Sequence, residues 1–188
     1  MSAYIISALR TPIGSFGGRL ACFRAPELGA KVIRNLIEKI DLDLNIYDQV
    51  IMGNVLSAGL GQAPARQAAI LAGLNVRTEC LTINKMCGSG LKAVMISDNE
   101  IKSGAADIIL AGGMESMSNA PLLINKNLSK IGHEKIIDSM IHDGLWDAYN
   151  EMHMGNCAEL LASERKYSRK LQDKYAVKSY EKAQNAIN

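Results

Sequence analysis

The sequence lacks a long hydrophobic run and has few aromatic residues. No stretch approaches the roughly 18 consecutive apolar residues of a membrane-spanning helix. The 188 residues include only six Tyr, two Phe and one Trp, and the net charge is +2. Because no basic segment is interleaved with aromatics, nothing in the sequence favours nucleic-acid binding.

The cysteines also lack the spacings of metal sites. None forms a Cys-x-x-Cys pair or has histidines at zinc-site spacing, so we predict no metal and interpret all four as free thiols in a reducing compartment. They are Cys22, Cys80, Cys87 and Cys157. The sequence opens with neither a secretory signal pattern nor an Arg- and Ser-rich presequence. We therefore expect a cytoplasmic protein.

What the sequence does contain is an alternation of short apolar runs and amphipathic helical patterns. The apolar runs span residues 4–9, 48–55, 80–84 and 107–113. Each is short enough for a buried strand. Helical patterns begin near Pro26, Pro64 and Cys87, between the runs. Strands alternating with helices predict an α/β fold, with a mostly parallel sheet covered by helices on both faces.

The strand pattern ends after Ser116. We therefore predict an α/β domain over residues 1–116 and a second, mainly helical region over residues 117–188. In this second region a short helix is expected near 134–141 and a last helix from Ser168. The helix that begins at Cys87 is expected to be buried over its first two turns, because nearly all of its residues there are apolar or small.

Cys87 lies in the segment NKMCGSG, where a predicted strand meets a predicted helix. A helix N-terminus presents unpaired N–H groups and a partial positive charge, which favour the reactive thiolate. Gly88 and Gly90 would let a substrate carbonyl approach a backbone N–H that can hold an oxyanion. Cys87 is therefore a candidate nucleophile. The competing interpretation is a small buried hydrophobic residue, the commoner role of free cysteine.

The run over residues 83–101 resembles the acyl-enzyme signature of the thiolase family. Four other stretches are similar to thiolases: RTPIGSFGG, GQAPARQAAILAGL, GGMESMS and DGLWDAYNEMHMGNCAE. The resemblance covers nearly the whole chain but only the first part of the family. It implies the α/β N-terminal half of a thiolase followed by an incomplete, mainly helical loop domain.

The resemblance also implies a chemistry. Thiolases of the acetyl-CoA C-acetyltransferase type transfer an acyl group between acyl-CoA molecules, forming acetoacetyl-CoA or cleaving a 3-ketoacyl-CoA. Here Cys87 would carry the acyl group as a thioester, with its backbone N–H donating to the oxyanion. His153 and Met154, in the HMG stretch, resemble residues that line the acyl and pantetheine pocket. No cofactor is implied beyond the coenzyme A of the substrate, and a homo-oligomer is implied.

The catalytic base is not found in this sequence. A nucleophilic cysteine needs proton-transfer groups, and the chain has only three histidines: His133, His142 and His153. In thiolases the base and the second reactive cysteine belong to Gly-His-Pro and Cys-Gly-Gly-Gly motifs of the second half. Neither motif occurs here, so we expect this chain alone to be inactive.

Three alternatives remain open. The chain could be a non-catalytic remnant or a subunit whose partner supplies the C-terminal half. It could belong to the related decarboxylating or synthase-type condensing enzymes, although GGMESMS and the HMG stretch favour a thiolase. Cys87 could also be a redox-sensing thiol, which would need a resolving cysteine nearby. Cys157 is not selected, because the family commonly has other residues at 156–157.

Overall fold

A computed structural model describes residues 2–126 and 133–187 of the chain. The chain divides into two compact units, Met1–Gly144 and Leu145–Asn188. The domain boundary near Ser116 follows the end of the strand pattern and stays a prediction. Across the described ranges, no helix combines the length and the apolar character that a membrane crossing demands.

A parallel sheet forms the centre of the first unit. Within the described residues it contains β1 (Gln49–Gly53), β2 (Glu79–Ile83) and β3 (Ile109–Gly113), in the order β2-β1-β3. Both pairings are parallel, so the carboxyl ends of the three strands lie along one edge. The middle strand, β1, is buried on both faces, as expected for an apolar run in a parallel sheet.

Helices cover both faces of this sheet, as predicted. They are α1 (Ala25–Ile40), α2 (Pro64–Ala72) and α3 (Ser89–Ser103). Val50 and Met52 of β1 join the main core with α1 and α2, while Ile51 alternates to the face on which α3 packs. Gly73 and Gly104 end α2 and α3 in the left-handed conformation, which glycine adopts without a steric penalty.

One face of α3 is not buried in this chain. Leu91, Val94 and Met95 are 69%, 40% and 53% exposed, while Ala93 on the sheet side is fully buried. The prediction that the first two turns are buried is therefore wrong for the chain by itself. The apolar residues do not all face the sheet, because those on the outer side of a helix cannot reach a sheet that packs on its inner side.

The predicted strand at residues 4–9 is wrong. The segment has no strand assignment, and Tyr4, Ile5 and Ile6 are 83%, 83% and 70% exposed. A strand requires a hydrogen-bonded partner, and none of the described strands pairs with this segment. An apolar composition indicates a preference for burial, but it cannot supply the pairing strand.

The short helix expected near residues 134–141 is also wrong. The segment instead contains β5 (Ile136–Asp138), which pairs antiparallel with β4 (Leu122–Ile124). A π-helical segment follows over Met140–Leu145. The adjacent β-branched residues Ile136 and Ile137 favour a strand once a partner is available.

The second unit is a small hairpin followed by two helices. The hairpin pairs β6 (Trp146–Asp147) with β7 (Met152–His153), and α4 (Met154–Glu164) and α5 (Arg169–Ile187) follow. The predicted last helix is confirmed, starting one residue later than expected. Asp147 holds the hairpin turn by accepting hydrogen bonds from the backbone of Tyr149 and the side chain of Asn150. The Asn150 amide is the main group that lowers the pKa of Asp147.

Candidate active site

Cys87 lies in the turn between β2 and α3. The strand ends at Ile83 and the helix begins at Ser89, with Gly88 as its N-cap, so the cysteine precedes the helix rather than opening it. The thiol-bearing residue is exposed. In the chain by itself this exposure does not fit the competing interpretation of Cys87 as a small buried hydrophobic residue, and its role as the nucleophile stays a prediction.

Side chains within the turn hold it in shape. The Ser89 hydroxyl accepts a hydrogen bond from the backbone N–H of Lys85 at 3.0 Å and donates one to the carbonyl of Met86 at 2.6 Å. The side-chain oxygen of Asn84 accepts from the N–H of Met86 at 2.9 Å. Met86 has a φ of 48°, a left-handed conformation that is uncommon for a long side chain. The backbone before Cys87 is thus held in a strained conformation.

Glycines allow the start of α3 to approach the sheet closely. A Cβ atom added to Gly53 would lie 2.5 Å from the Cβ atom and the carbonyl carbon of Ser89 and 2.7 Å from the N atom of Gly90. A Cβ atom added to Gly113, the neighbour of Gly53 in the sheet, would lie 3.2 Å from the Cα atom of Gly90. The position of the Cys87 turn is therefore set by direct backbone packing on β1 and β3.

A half-buried carboxylate joins the ends of β1 and β3 beside this packing. Glu115 accepts from the side chain of Asn54 at 2.7 Å, from the N–H of Val55 at 2.9 Å and from the N–H of Leu56 at 3.1 Å. Burial raises the pKa of Glu115, and the two backbone donors partly offset that effect. Sequence reasoning did not select Asn54 or Glu115. The only signal was a carboxylate directly after a buried strand, within GGMESMS.

We expect Glu115→Ala to destabilise the first unit by about 1–3 kcal/mol, because the donors of Asn54, Val55 and Leu56 would lose their acceptor in a half-buried place. Urea unfolding at neutral pH measures this cost. The matched control is Glu38→Ala, on the exposed side of α1. Equal stabilities of the two variants would contradict the anchoring role of Glu115.

Glu115→Gln removes the titrating group, and because its amide nitrogen cannot accept a hydrogen bond it also loses one of the bonds to the backbone donors. Because the folded-state pKa of Glu115 is raised, its titration contributes stability that is fully present below the unfolded-state pKa and is lost as pH rises through the folded-state pKa. Wild type should therefore lose stability across that window relative to Glu115→Gln, which does not titrate there. Parallel pH profiles of the two proteins would contradict the shift.

His153 and Met154 are neighbours in the second unit, where β7 meets α4. His153 is the N-cap of α4, and its Nδ1 atom accepts a hydrogen bond from the N–H of Gly155 at 3.0 Å. Met154 is the first residue of the helix and is exposed. The two residues are consecutive in the sequence, and their role as pocket-lining residues stays a prediction.

The remaining candidates form no further centre. Across residues 2–126 and 133–187, no three His, Cys, Asp or Glu side chains cluster in a way that could hold a metal ion. All four cysteines are free. Cys157 lies near Asp147, its Sγ atom 3.9 Å from a carboxylate oxygen. Cys80 is half-buried, and burial raises the pKa of its thiol. The exposed Cys87 turn is the strongest candidate site.

Known proteins share both the sequence and the fold. The family described as "Thiolase, N-terminal domain" matches residues 3–188. The acetyl-CoA acetyltransferase of Pseudomonas aeruginosa is 52% identical over 185 residues, covering 97% of this chain and 47% of that protein. The mitochondrial acetyl-CoA acetyltransferase of Rattus norvegicus is 47% identical over 182 residues, covering 97% of this chain and 43% of that protein. The chain spans about half the length of these curated relatives.

A solved structure agrees with the sequence comparison. The Acat5 thiolase from Ascaris suum, in complex with coenzyme A, superposes with a TM-score of 0.96 at 39% sequence identity. The match covers 100% of this chain and 49% of that one. Similarity at this level confirms the predicted fold class. The chain therefore belongs to the thiolase family, of which it represents the N-terminal part.

Proposed function

We propose that the protein to which this chain belongs is an acetyl-CoA C-acetyltransferase, with Cys87 as the nucleophile that carries the acyl group. The observation that carries the proposal is an exposed cysteine in a fixed strand-to-helix turn, in a chain of this family. Relatives 47–52% identical bear the name acetyl-CoA acetyltransferase. The same relatives make an acyl-CoA the proposed substrate.

The proposed first step is a thioester exchange. The Cys87 thiolate attacks the carbonyl carbon of acyl-CoA, and the resulting oxyanion accepts a hydrogen bond from the Cys87 N–H. The bond from the acyl carbon to the coenzyme A sulfur then breaks, so that coenzyme A leaves as a thiolate and the acyl group stays on Cys87. No redox cofactor is required, because the acyl carbon is neither oxidised nor reduced.

The proposed second step forms a carbon–carbon bond. A second acyl-CoA loses a proton from its α-carbon, and the carbanion attacks the acyl group on Cys87. The thioester bond to Cys87 breaks, which releases a 3-ketoacyl-CoA and restores the thiolate. Run backwards, the same steps cleave a 3-ketoacyl-CoA. His153 and Met154 are proposed to line the pocket for the acyl and pantetheine groups, by resemblance to the family's HMG stretch.

The groups that move protons in these steps are proposed to lie outside this sequence. It contains neither a Gly-His-Pro nor a Cys-Gly-Gly-Gly motif. The exposed apolar face of α3, formed by Leu91, Val94 and Met95, offers a surface that a following half could cover. The same surface supports the second candidate function, a non-catalytic subunit that works only beside a partner supplying that half. By resemblance to the family we also propose a homo-oligomer. A cytoplasmic location stays an expectation drawn from the N-terminal sequence pattern.

A half-reaction experiment tests this proposal. We expect the translation product of the complete reading frame to form an acetyl adduct on Cys87 when it is incubated with acetyl-CoA. Peptide mass analysis locates the adduct, and the exposed Cys22 serves as an internal reference for non-specific acetylation. The 188-residue chain alone is expected to show no condensation turnover, because the proton-transfer groups are absent. An unmodified Cys87 would contradict the proposed nucleophile. Turnover by the isolated chain would contradict the proposal that the proton-transfer groups lie outside this sequence.

A further inference from the structure

Ser89 occupies an unusual place beside the candidate nucleophile. It is the first residue of α3 and only 5% exposed, although Cys87, two residues earlier, is exposed. Its hydroxyl bonds to both residues that immediately precede Cys87, accepting from the N–H of Lys85 and donating to the carbonyl of Met86. A single buried oxygen therefore fixes the backbone that leads into the cysteine.

These bonds act on the one strained residue of the turn. A non-glycine residue in the left-handed region, such as Met86, is strained and persists only where its surroundings determine it. Ser89 holds the turn at the N–H of Lys85 and the carbonyl of Met86, and Asn84 holds the N–H of Met86. Without these side chains, the backbone before Cys87 would relax toward commoner conformations.

Ser89 is itself fixed to the sheet. The hypothetical Cβ atom of Gly53 lies 2.5 Å from the Cβ atom of Ser89, so the serine side chain rests directly against the backbone of β1. That strand is the buried centre of the parallel sheet. Ser89 thus connects a rigid element on one side to the turn that carries the thiol on the other.

We propose that Ser89, supported by Asn84, is a positioning residue for acylation of Cys87, an inference that rests on the proposed function. The Cys87 thiolate must approach the thioester carbon while the Cys87 N–H faces the developing oxyanion. Both groups belong to one residue, so the backbone conformation before it sets their relative direction. Ser89 takes no part in bond making; it restricts the turn to the conformation in which both groups serve one substrate.

The chain offers a matched control for this proposal. Ser97 lies on the same helix, is 6% exposed, and donates its hydroxyl to the carbonyl of Ala93 at 2.9 Å. Ser89→Ala and Ser97→Ala each remove one buried hydroxyl from α3, but only the first removes bonds to the Cys87 turn. Both variants are made in the translation product of the complete reading frame. Acetylation by acetyl-CoA and alkylation by iodoacetamide are followed at Cys87 by peptide mass analysis.

In Ser89→Ala we expect acetylation of Cys87 to slow by about tenfold or more, while alkylation stays within about twofold of wild type. Acetylation requires both the thiolate and the Cys87 N–H to be oriented toward the substrate, whereas alkylation requires only the thiolate, so a misoriented turn slows acetylation more. Ser97→Ala should keep both rates. Unchanged acetylation in Ser89→Ala, or an equal loss in Ser97→Ala, would overturn the proposal.

A second variant decides the matter if Ser89→Ala does not fold. Asn84→Ala removes the other bond to the turn from an exposed position, and we expect it to slow acetylation in the same way. A wild-type acetylation rate in that variant would overturn the proposal. If Cys87 of the wild-type protein is not acetylated, the proposed function fails, and the positioning role fails with it. If the wild-type protein is acetylated and the variants are acetylated at the same rate, only the positioning role fails.

Discussion

Replacing Cys87 with alanine is expected to reduce acyl-transfer turnover of the complete protein by about 10⁴-fold or more, the scale seen when a covalent nucleophile is removed. The alanine variant has no atom to carry the acyl group, so the two-step route through a thioester is lost. Cys87→Ser should fail nearly as completely, because a hydroxyl is far less acidic than a thiol and is scarcely ionised at neutral pH. Steady-state assays of thiolysis and condensation measure both losses.

Cys22→Ala is the control for this result. Cys22 is also an exposed free cysteine of the first unit, and its Sγ atom lies 3.5 Å from the carbonyl of Arg19 in a separate turn. That variant should retain wild-type turnover, and circular dichroism of all three variants checks that folding is unaffected. Acyl transfer retained in Cys87→Ala would remove this cysteine from the mechanism.

The elements around the nucleophile could be predicted because residues at their own ends determine where they begin and end. Pro64 opens α2, and Gly73 and Gly104 end α2 and α3 in the left-handed conformation, so each boundary depends on one residue type with a restricted or unusual backbone. The same reasoning located Cys87 between a strand and a helix. It erred by two residues on the helix start, because the turn before Ser89 is bent by Met86 rather than by a glycine.

The failures concern residues whose state depends on a distant partner. Residues 4–9 are apolar enough for a strand but have no pairing strand among those described. Leu91 and Met95 are apolar enough for burial, yet the described residues provide nothing to cover them. A periodic pattern predicts which residues prefer burial, whereas the partner that buries them is a property of the whole assembly.

The supporting residues of the candidate site were missed for a related reason. Gly53 packs against Ser89. Glu115 bonds to Val55 and Leu56, just beyond Gly53, because the parallel sheet places the carboxyl ends of β1 and β3 side by side. No motif joins them in sequence. The thiol could be selected from its immediate neighbours, but the residues that hold its turn could be identified only from contacts.

The second large effect concerns folding: Gly53→Ala is expected to destabilise the first unit by about 3 kcal/mol, the upper end of the range for overpacking a tightly packed interior. The added methyl group would lie 2.5 Å from the carbonyl carbon of Ser89 and 2.7 Å from the N atom of Gly90. Both are backbone atoms, so no side chain can rotate away. The start of α3 would have to move off the sheet.

Glycines of β3 provide a graded control. A Cβ atom at Gly113 would meet the Cα atom of Gly90 at 3.2 Å, whereas one at Gly112 would meet the sulfur of Met52 at 3.6 Å, an ordinary contact. Guanidinium unfolding should therefore rank Gly53→Ala as the least stable variant, Gly113→Ala as intermediate and Gly112→Ala as close to wild type. Equal stability of Gly53→Ala and Gly112→Ala would show that the start of α3 is free to shift. The close packing could then not be what holds the Cys87 turn in place.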